Sequence, residues 1–422
     1  MANFSVQLID LPDELLFIIF KKLNNVELLY SLMGINKRLD RILYDSIFTR
    51  RLTLIRSSSN RHIYPLRDEM LDRFCLEILP KIHHKIEWLT VESLSMERIF
   101  LVDDYSNLHQ LGLLSIQWEG LERLFDAPNI DMKKKLDNLR CFSLISKNET
   151  FCYSQSIVPL LHRMSNLKRL DLYLIIDESK FIDGNCLNND IINHLPRLNH
   201  FIFNIQSRIY EYNQTDIRSN EDIQITFKTF PNHKVISCVD FFPEQNFARC
   251  HYYSYPYTME NYDKISNNFP GGLFKCVREI SLFDERPFQH EFFIKISEAF
   301  PFLQKLTLEN FQSQNKKSDE DDQHLSIIEY SYLTELRLLD VHDDYIEQFL
   351  FHSKSVLPNN ISLSVQYDFL KRVTNHFTRE QTRINSAKIK HVFLAGPGQH
   401  HLSKDFYQYF PNLQSYCFSL IT

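Results

Sequence analysis

The sequence predicts an α/β protein: three short N-terminal helices, then a curved repeat body with a parallel sheet inside and helices outside. Three observations carry that prediction. The first fifty residues hold three helical stretches with their own stop signals. A pattern of apolar, two residues, apolar, one residue, apolar recurs at spacings of 22 to 31 residues through much of the rest. Most copies follow a helical apolar run and a short break, so the unit reads helix, turn, strand. Stacked units of that kind bury their apolar faces on one another.

The first helix starts in Asp10-Leu11-Pro12-Asp13-Glu14. Pro12 suits the first helical position, where its missing N–H costs nothing. Asp13 and Glu14 put negative charge at the positive end of the helix dipole. Leu15, Ile19 and Leu23 recur every four residues, with Leu16 and Phe20 beside them. Phe17 and Ile18 carry the apolar surface nearly round the helix. A helix this short and this apolar needs cover on more than one side. Its own small domain supplies part of that cover, and the remainder calls for a partner protein. Asn24-Asn25 ends the pattern. Val26, Leu28, Leu29, Leu32 and Met33 form a second helix, Gly34 and Asn36 mark a bend, and helical spacing restarts at Lys37.

The string Leu11-Pro12-x-Glu14-Leu15-x-x-x-Ile19-Phe20-x-x-Leu23, then Leu28-x-x-x-Leu32 and Asn36-Lys37-Arg38-Leu39, resembles the F-box. The resemblance covers residues 5–50. It implies a domain that binds the Skp adaptor of a cullin–RING ubiquitin ligase. On that likeness Leu11, Pro12, Leu15, Ile19, Phe20, Leu23 and Leu28 form or support the adaptor-binding face.

In the body, 51–422, the pattern stands at Ile86/Leu89/Val91, Leu108/Leu111/Leu113, Leu139/Phe142/Leu144, Leu167/Leu170/Leu172 and Leu198/Phe201/Phe203. It returns at Val277/Ile280/Leu282, Leu303/Leu306/Leu308, Leu333/Leu336/Leu338, Ile389/Val392/Leu394 and Leu413/Tyr416/Phe418, with Ile361/Leu363/Val365 a looser copy. This body resembles the irregular leucine-rich repeats that follow many F-boxes, which implies a leucine-rich-repeat-like solenoid. Alternate strand residues point away from the core. The concave surface is thereby expected to carry Arg169, Asp171 and Tyr173, then Glu279, Ser281 and Phe283, then Lys305, Thr307 and Glu309, then Glu335 and Arg337. That mixture of charge and aromatic area suits binding of a protein target, and it equally suits a solvated sheet face. Arg169, Asp171, Tyr173, Glu279, Phe283, Lys305, Glu309 and Arg337 are the candidate target contacts.

Residues 206–272 break the period. They hold Tyr210, Tyr212, Tyr252, Tyr253, Tyr255, Tyr257 and Tyr262, and end in Pro270-Gly271-Gly272. Ile223-Gln224-Ile225-Thr226-Phe227 alternates like a strand. The stretch reads as an inserted sheet or loop, or as repeats with longer strands, serving packing or target contact. The charged run 316–322 reads as a solvated, disordered loop.

Several classes of function are disfavoured. The net charge of -6 gives no broad basic face for nucleic acid. With 8 glycines in 422 residues, phosphate-cradling glycine loops are absent as motifs. His290-Glu291 opens like a zinc-protease motif, but Ile294 stands where the second histidine would fall. His83-His84 and His400-His401 are adjacent, without the four-residue spacing that aligns two ligands on a helix. No catalytic, cofactor-binding or metal-binding residues are therefore expected, and the chain reads as a non-enzyme. The 8 cysteines form no C-x-x-C pair and read as reduced core residues. No uncharged apolar run approaches the roughly 18 residues of a membrane helix, and the N-terminus carries no signal core. The chain is expected in the cytoplasm, the nucleus or both, without a membrane partner. The function that follows is the substrate-recognition subunit of a Skp–cullin–F-box ubiquitin ligase, its repeats holding a protein target. The alternative is a non-degradative scaffold that uses the F-box only for docking.

Overall fold

The computed structural model describes residues 8–57, 63–115, 136, 138–210, 218–228, 230, 234–315, 326–396 and 402–419. Helices α1 (Asp13–Phe20), α2 (Asn25–Leu32), α3 (Lys37–Leu43) and α4 (Ser46–Thr49) open the chain. The residues that interrupt the apolar pattern are their N-caps. The Asn24 side chain accepts from the Val26 and Glu27 N–H groups at 2.9 and 3.3 Å. Asn36 accepts from Leu39 at 2.8 Å, and Asp45 from Ile47 at 2.8 Å. Each cap satisfies donors that the first helical turn leaves open. Pro12 sits one position earlier than expected, as the extended residue before α1. Gly34 turns the chain after α2 at φ +88, a conformation that favours glycine. Leu16, Phe20, Leu28, Leu29, Leu39, Leu43 and Phe48 form the core of this hairpin-like cluster. The ring of Phe48 lies 5.4 Å from Phe17 and 6.4 Å from Phe20, both edge-on.

Two arginines of α3 fasten the start of α1. Arg38 donates to the Asp13 carboxylate at 2.6 Å and to the Leu11 carbonyl at 2.5 Å. Arg41 takes the other Asp13 oxygen at 2.6 Å. Hydrogen bonds from Arg38 and then Arg41 hold the Asp13 carboxyl below its usual range.

The remainder is mixed α/β with parallel sheets. Met1–Ser237 with Arg249–Ser254 forms one compact unit, and Cys238–Ala248 with Tyr255–Thr422 a second. The first sheet begins with β1 (Arg51–Leu54), β2 (Trp88–Glu92), β3 (Gln110–Leu114), β4 (Cys141–Thr150), β5 (Arg169–Asp177) and β6 (His200–Tyr210). They lie side by side in chain order, every neighbouring pair parallel. The hairpin strands β7 (Lys234–Phe242) and β8 (Phe247–Tyr255) complete it, β8 next to β6. The second sheet holds β9 (Asn261–Ile265), β10 (Glu279–Phe283), β11 (Lys305–Asn310), β12 (Glu335–Val341), β13 (Ile361–Gln366), β14 (Ile389–Ala395) and β15 (Ser415–Ser419), again parallel and in chain order.

Every copy of the apolar pattern falls at a strand. In every copy but the last, Leu413/Tyr416/Phe418, its second and third positions are buried, as Leu89 and Val91, Leu170 and Leu172, and Leu306 and Leu308 are. Its first position closes a turn just before the strand: the Leu108, Leu139, Leu167, Val277, Leu303 and Leu333 N–H groups each donate to the carbonyl three residues back. The next carbonyl then joins consecutive units. Arg140 accepts from both Lys168 and Arg169, Arg278 from both Gln304 and Lys305, and Gln304 from both Thr334 and Glu335. Helices return between strands and supply the other side of the core, for example His290–Ala299 through Phe293 and Ile296.

Within 206–272 one expectation is corrected. Residues 223–227 are not a strand; the helix Asn220–Thr226 runs through them. Ser219 accepts from the Asp222 N–H while Asp222 accepts from the Ser219 N–H. That capping box fixes the first turn and overrides five alternating residues. Cysteine burial is also uneven. Cys152, Cys238 and Cys250 are buried, Cys75, Cys141 and Cys186 half-buried, and Cys276 and Cys417 exposed, all eight as thiols. Cys276 and Cys417 thus depart from the core reading of the cysteines, and Cys417 lies on the last strand in the order of the second sheet. Tyr212, residues 316–322 and the His400-His401 pair lie outside the described residues.

Candidate functional site

Helix α1 divides its apolar residues between two faces. Leu16 and Phe20, four apart, are fully buried, and the Phe20 ring lies 6.4 Å from Phe48 of α4. Leu15, Ile18, Ile19 and, just past the helix, Leu23 are 46%, 57%, 38% and 51% exposed. Spacings of three and four place these on one stripe. Ile47 of α4 is 43% exposed, and it joins Ile18, Lys21, Lys22, Asn25 and Phe48 around a groove of about 470 Å³. Contiguous apolar surface rimmed by polar residues marks an interaction site more often than scattered leucines do. The Lys21 ammonium stands 4.8 Å from the centre of the Phe17 ring, so the rim is cationic.

Of the seven residues assigned to this face by resemblance, Pro12, Leu15, Ile19 and Leu23 are exposed and Leu11 is half-buried. Phe20 and Leu28 are corrections if taken as contacts, since both lie inside the helical cluster, at 0% and 2% exposure. They hold the stripe in place from beneath. Ile18 and Ile47 were not among the assigned residues. Ile18 belonged to the apolar run, and Ile47 carried no signal beyond being apolar next to a cap.

The candidate target contacts divide between the units, Arg169, Asp171 and Tyr173 in the first and the other five in the second. On β5 Arg169 is exposed, and its guanidinium donates to Asp171 at 3.1 Å. Tyr173 is not surface; it is 4% exposed. Its register partners are Ile145 and Asn204, and Asn204 is itself buried and bonded to His251 at 2.7 Å. On the second sheet Glu279, Lys305 and Glu335 stand in one row across three strands. The Lys305 ammonium lies 3.9 Å from Glu279 and 3.1 Å from Glu335. Arg337 is exposed beside Thr307, and Glu309 is half-buried. Phe283 is also not surface, because Phe242 and Phe247 of the hairpin pack on it, the Phe242 ring 5.1 Å away. Lys264 caps that ring from 5.1 Å. Sequence alternation placed both aromatics on the correct face and missed what covers it.

Beyond Tyr173 the same face of the first sheet is a buried polar layer. Asp177, Asn204, Gln206, Arg208, Arg249 and His251 are all at most 5% exposed. Arg208 donates to Glu149, and Asp177 lies opposite Arg208 in register. Neither Asp177 carboxylate oxygen accepts a hydrogen bond. Burial raises the Asp177 carboxyl to about 6, against the opposing pull of Arg208 and with a further push from Glu149. Burial, reinforced by Arg249, lowers His251 to about 3, so this histidine is neutral. These shifts have structural causes, burial together with the neighbouring charges of Arg208, Glu149 and Arg249.

His290 bonds Gln348 at 3.2 Å and the Ser326 carbonyl at 2.9 Å, a structural role. Among the described residues no cluster of three or more histidine, cysteine or acidic side chains could hold a metal ion. No helix among them is long and apolar enough to cross a membrane. No protein-family model matches the chain, and no curated protein is similar to it in sequence.

Proposed function

We propose that this chain is the substrate-recognition subunit of a Skp–cullin–F-box type ubiquitin ligase. The N-terminal helices are its F-box, and the two parallel sheets with their helices form an irregular leucine-rich-repeat-like body that holds a protein target. The observation that carries this reading is the exposed stripe Leu15, Ile18, Ile19 and Leu23 on a helix whose other face is fully packed. Four large apolar side chains on two turns are costly in water, at about 25 cal/mol per Å². A protein partner that covers them removes that cost, and the F-box resemblance names a Skp adaptor as that partner. The role is not catalytic: a receptor raises the concentration of its target beside the ligase. In the body, Arg169, Asp171, Glu279, Lys305, Glu309 and Arg337 are the accessible target-contact candidates.

Co-purification with a Skp adaptor tests the reading. Leu15→Asp with Ile19→Asp alters exposed positions only and is expected to abolish adaptor capture while the far-ultraviolet circular dichroism stays unchanged. Capture undiminished by the double variant, or no capture by the wild type, refutes the assignment. Ubiquitin transfer to captured proteins that requires the stripe supports the ligase receptor over a docking scaffold.

A further inference from the structure

We propose that the strand starts of the first sheet carry a binding strip for an extended acidic segment of the protein target. The proposal rests on the receptor reading above and names the chemistry of what the body holds. Strand register sets Arg51, Trp88, Gln110, Cys141, Arg169 and His200 in one row across β1 to β6. The residues one position earlier form a second row. There the Glu87 N–H donates to the Arg50 carbonyl, His109 to Glu87, Arg140 to His109, Lys168 to Arg140 and Asn199 to Lys168. The two rows hold the exposed cations Arg50, Arg51, Arg140, Lys168 and Arg169 against a single carboxylate, Glu87. In a chain of net charge -6 that concentration is local.

The charges on the strip do not cancel. Glu87 is taken by Arg50 at 2.5 Å, and Arg169 donates to Asp171, two residues along its own strand, at 3.1 Å. Arg51, Arg140 and Lys168 form no ion pair among the described residues. Arg51 instead lies over the Trp88 ring, 5.0 Å from its centre, and Trp88 is 39% exposed. Arg140 and Lys168 stand on adjoining strands, where like charges are destabilising, and an anionic occupant removes that cost. The corresponding row of the second sheet is built differently, with Lys305 set between Glu279 and Glu335 so that the charges neutralise one another.

Charge complementarity and spacing select the occupant. Neighbouring strands lie about 4.8 Å apart. Arg50 and Arg140 are three strands apart, about 14 Å, and Arg51 and Arg169 four, about 19 Å. An extended polypeptide advances about 3.4 Å per residue, so acidic groups roughly four to six residues apart meet both cationic ends. Between them the strip offers Trp88 and the uncharged Gln110 and Cys141, which suit apolar and small side chains. Tryptophan and arginine dominate binding energy at many protein surfaces. A nucleic acid carries a phosphate about every 3.4 Å along each strand, and would set several against Glu87 and the uncharged middle. A polypeptide places its carboxylates by sequence.

Fluorescence anisotropy with the full chain tests this. The probe is a fluorescein-labelled peptide of about ten residues, serine except for two glutamate pairs roughly five residues apart and a leucine after the first pair. The wild type is expected to bind it with a Kd of about 10–100 µM, and to bind the same peptide with glutamine for glutamate at least about tenfold more weakly. Arg140→Glu with Lys168→Glu, both exposed, is expected to weaken the acidic peptide at least about tenfold. Arg140→Gln with Lys168→Gln gives a milder variant with a smaller loss, should the reversal disturb folding. Lys228→Glu, off the strip, is expected to change nothing. No binding of the acidic peptide, equal binding of the glutamine peptide, or affinity undiminished by both double variants overturns the proposal. Tighter binding of a thymidine oligonucleotide of about the same length overturns it in favour of nucleic acid. Adaptor capture by the same preparations keeps the two readings apart. Capture without peptide binding strikes the strip alone, and peptide binding without capture strikes the ligase assignment alone.

Discussion

Asp177→Asn is expected to stabilise the first unit at neutral pH. The Asp177 carboxyl is 5% exposed, accepts no hydrogen bond, and is raised from an ordinary value of 3.8 to about 6. Because the folded value lies above the unfolded one, the folded state holds the proton more tightly. The stability this confers is complete below pH 3.8 and is lost as pH rises through 6. A shift of about two units at 1.36 kcal/mol each corresponds to about 3 kcal/mol lost by pH 7.5. An asparagine keeps the shape, removes the charge, and offers an N–H toward Glu149, which Arg208 still holds. Urea denaturation at pH 4.5 and 7.5 measures the effect. Trp88 stands on β2 of the first unit, so its fluorescence reports on that unit. The variant is expected to gain about 1–3 kcal/mol at pH 7.5 and little at pH 4.5. A loss of stability at pH 7.5 would show that attraction to Arg208, its register partner, outweighs desolvation, and would refute the reasoning.

Two further substitutions separate packing from surface. Phe20→Ala removes a ring with 0% exposure and is expected to cost about 3–5 kcal/mol, whereas Leu15→Ala, at 46%, is expected to cost under about 1 kcal/mol; thermal melts of the two compare them directly. Gly184→Ala would place its Cβ 2.5 Å from the Thr226 carbonyl oxygen, and the Gly184 N–H already donates to the Thr226 hydroxyl at 2.9 Å. Overpacking there is expected to lower stability by about 1–3 kcal/mol, seen as a lower urea midpoint.

The strands were legible because an inward residue at every second position, preceded by an apolar turn residue, leaves a periodic trace. Helix ends were legible through Asn24, Asn36 and Asp45, whose short polar side chains serve the backbone itself. What alternation cannot register is the identity of the covering element. Tyr173 and Phe283 look outward on their strands, yet neither is open to solvent, and distant residues such as Phe242 supply the cover. The helix Asn220–Thr226 is masked in the sequence by five alternating residues, although the Ser219-x-x-Asp222 start that fixes it is legible there. Asp177 was invisible as a perturbed acid, since its environment is assembled from Glu149 and Arg208 on the two flanking strands, 28 residues before it and 31 after. On α1 the helix and its apolar excess were readable, while the choice of Leu16 and Phe20 as the inner row depends on tertiary packing such as that of Phe48 on Phe20.

The divided face of α1 fixes a calorimetric signature for whatever covers it. Hydrated apolar surface has a large heat capacity, about 0.45 cal/K/mol for each Å². An association that seals Leu15, Ile18, Ile19 and Leu23 must release that heat capacity, so its enthalpy grows more negative as the temperature rises. A ligand that met only the charged rows of the sheets, such as Glu279, Lys305 and Glu335, would leave the enthalpy nearly flat with temperature. The slope of binding enthalpy against temperature therefore reports which face of the molecule a partner has found.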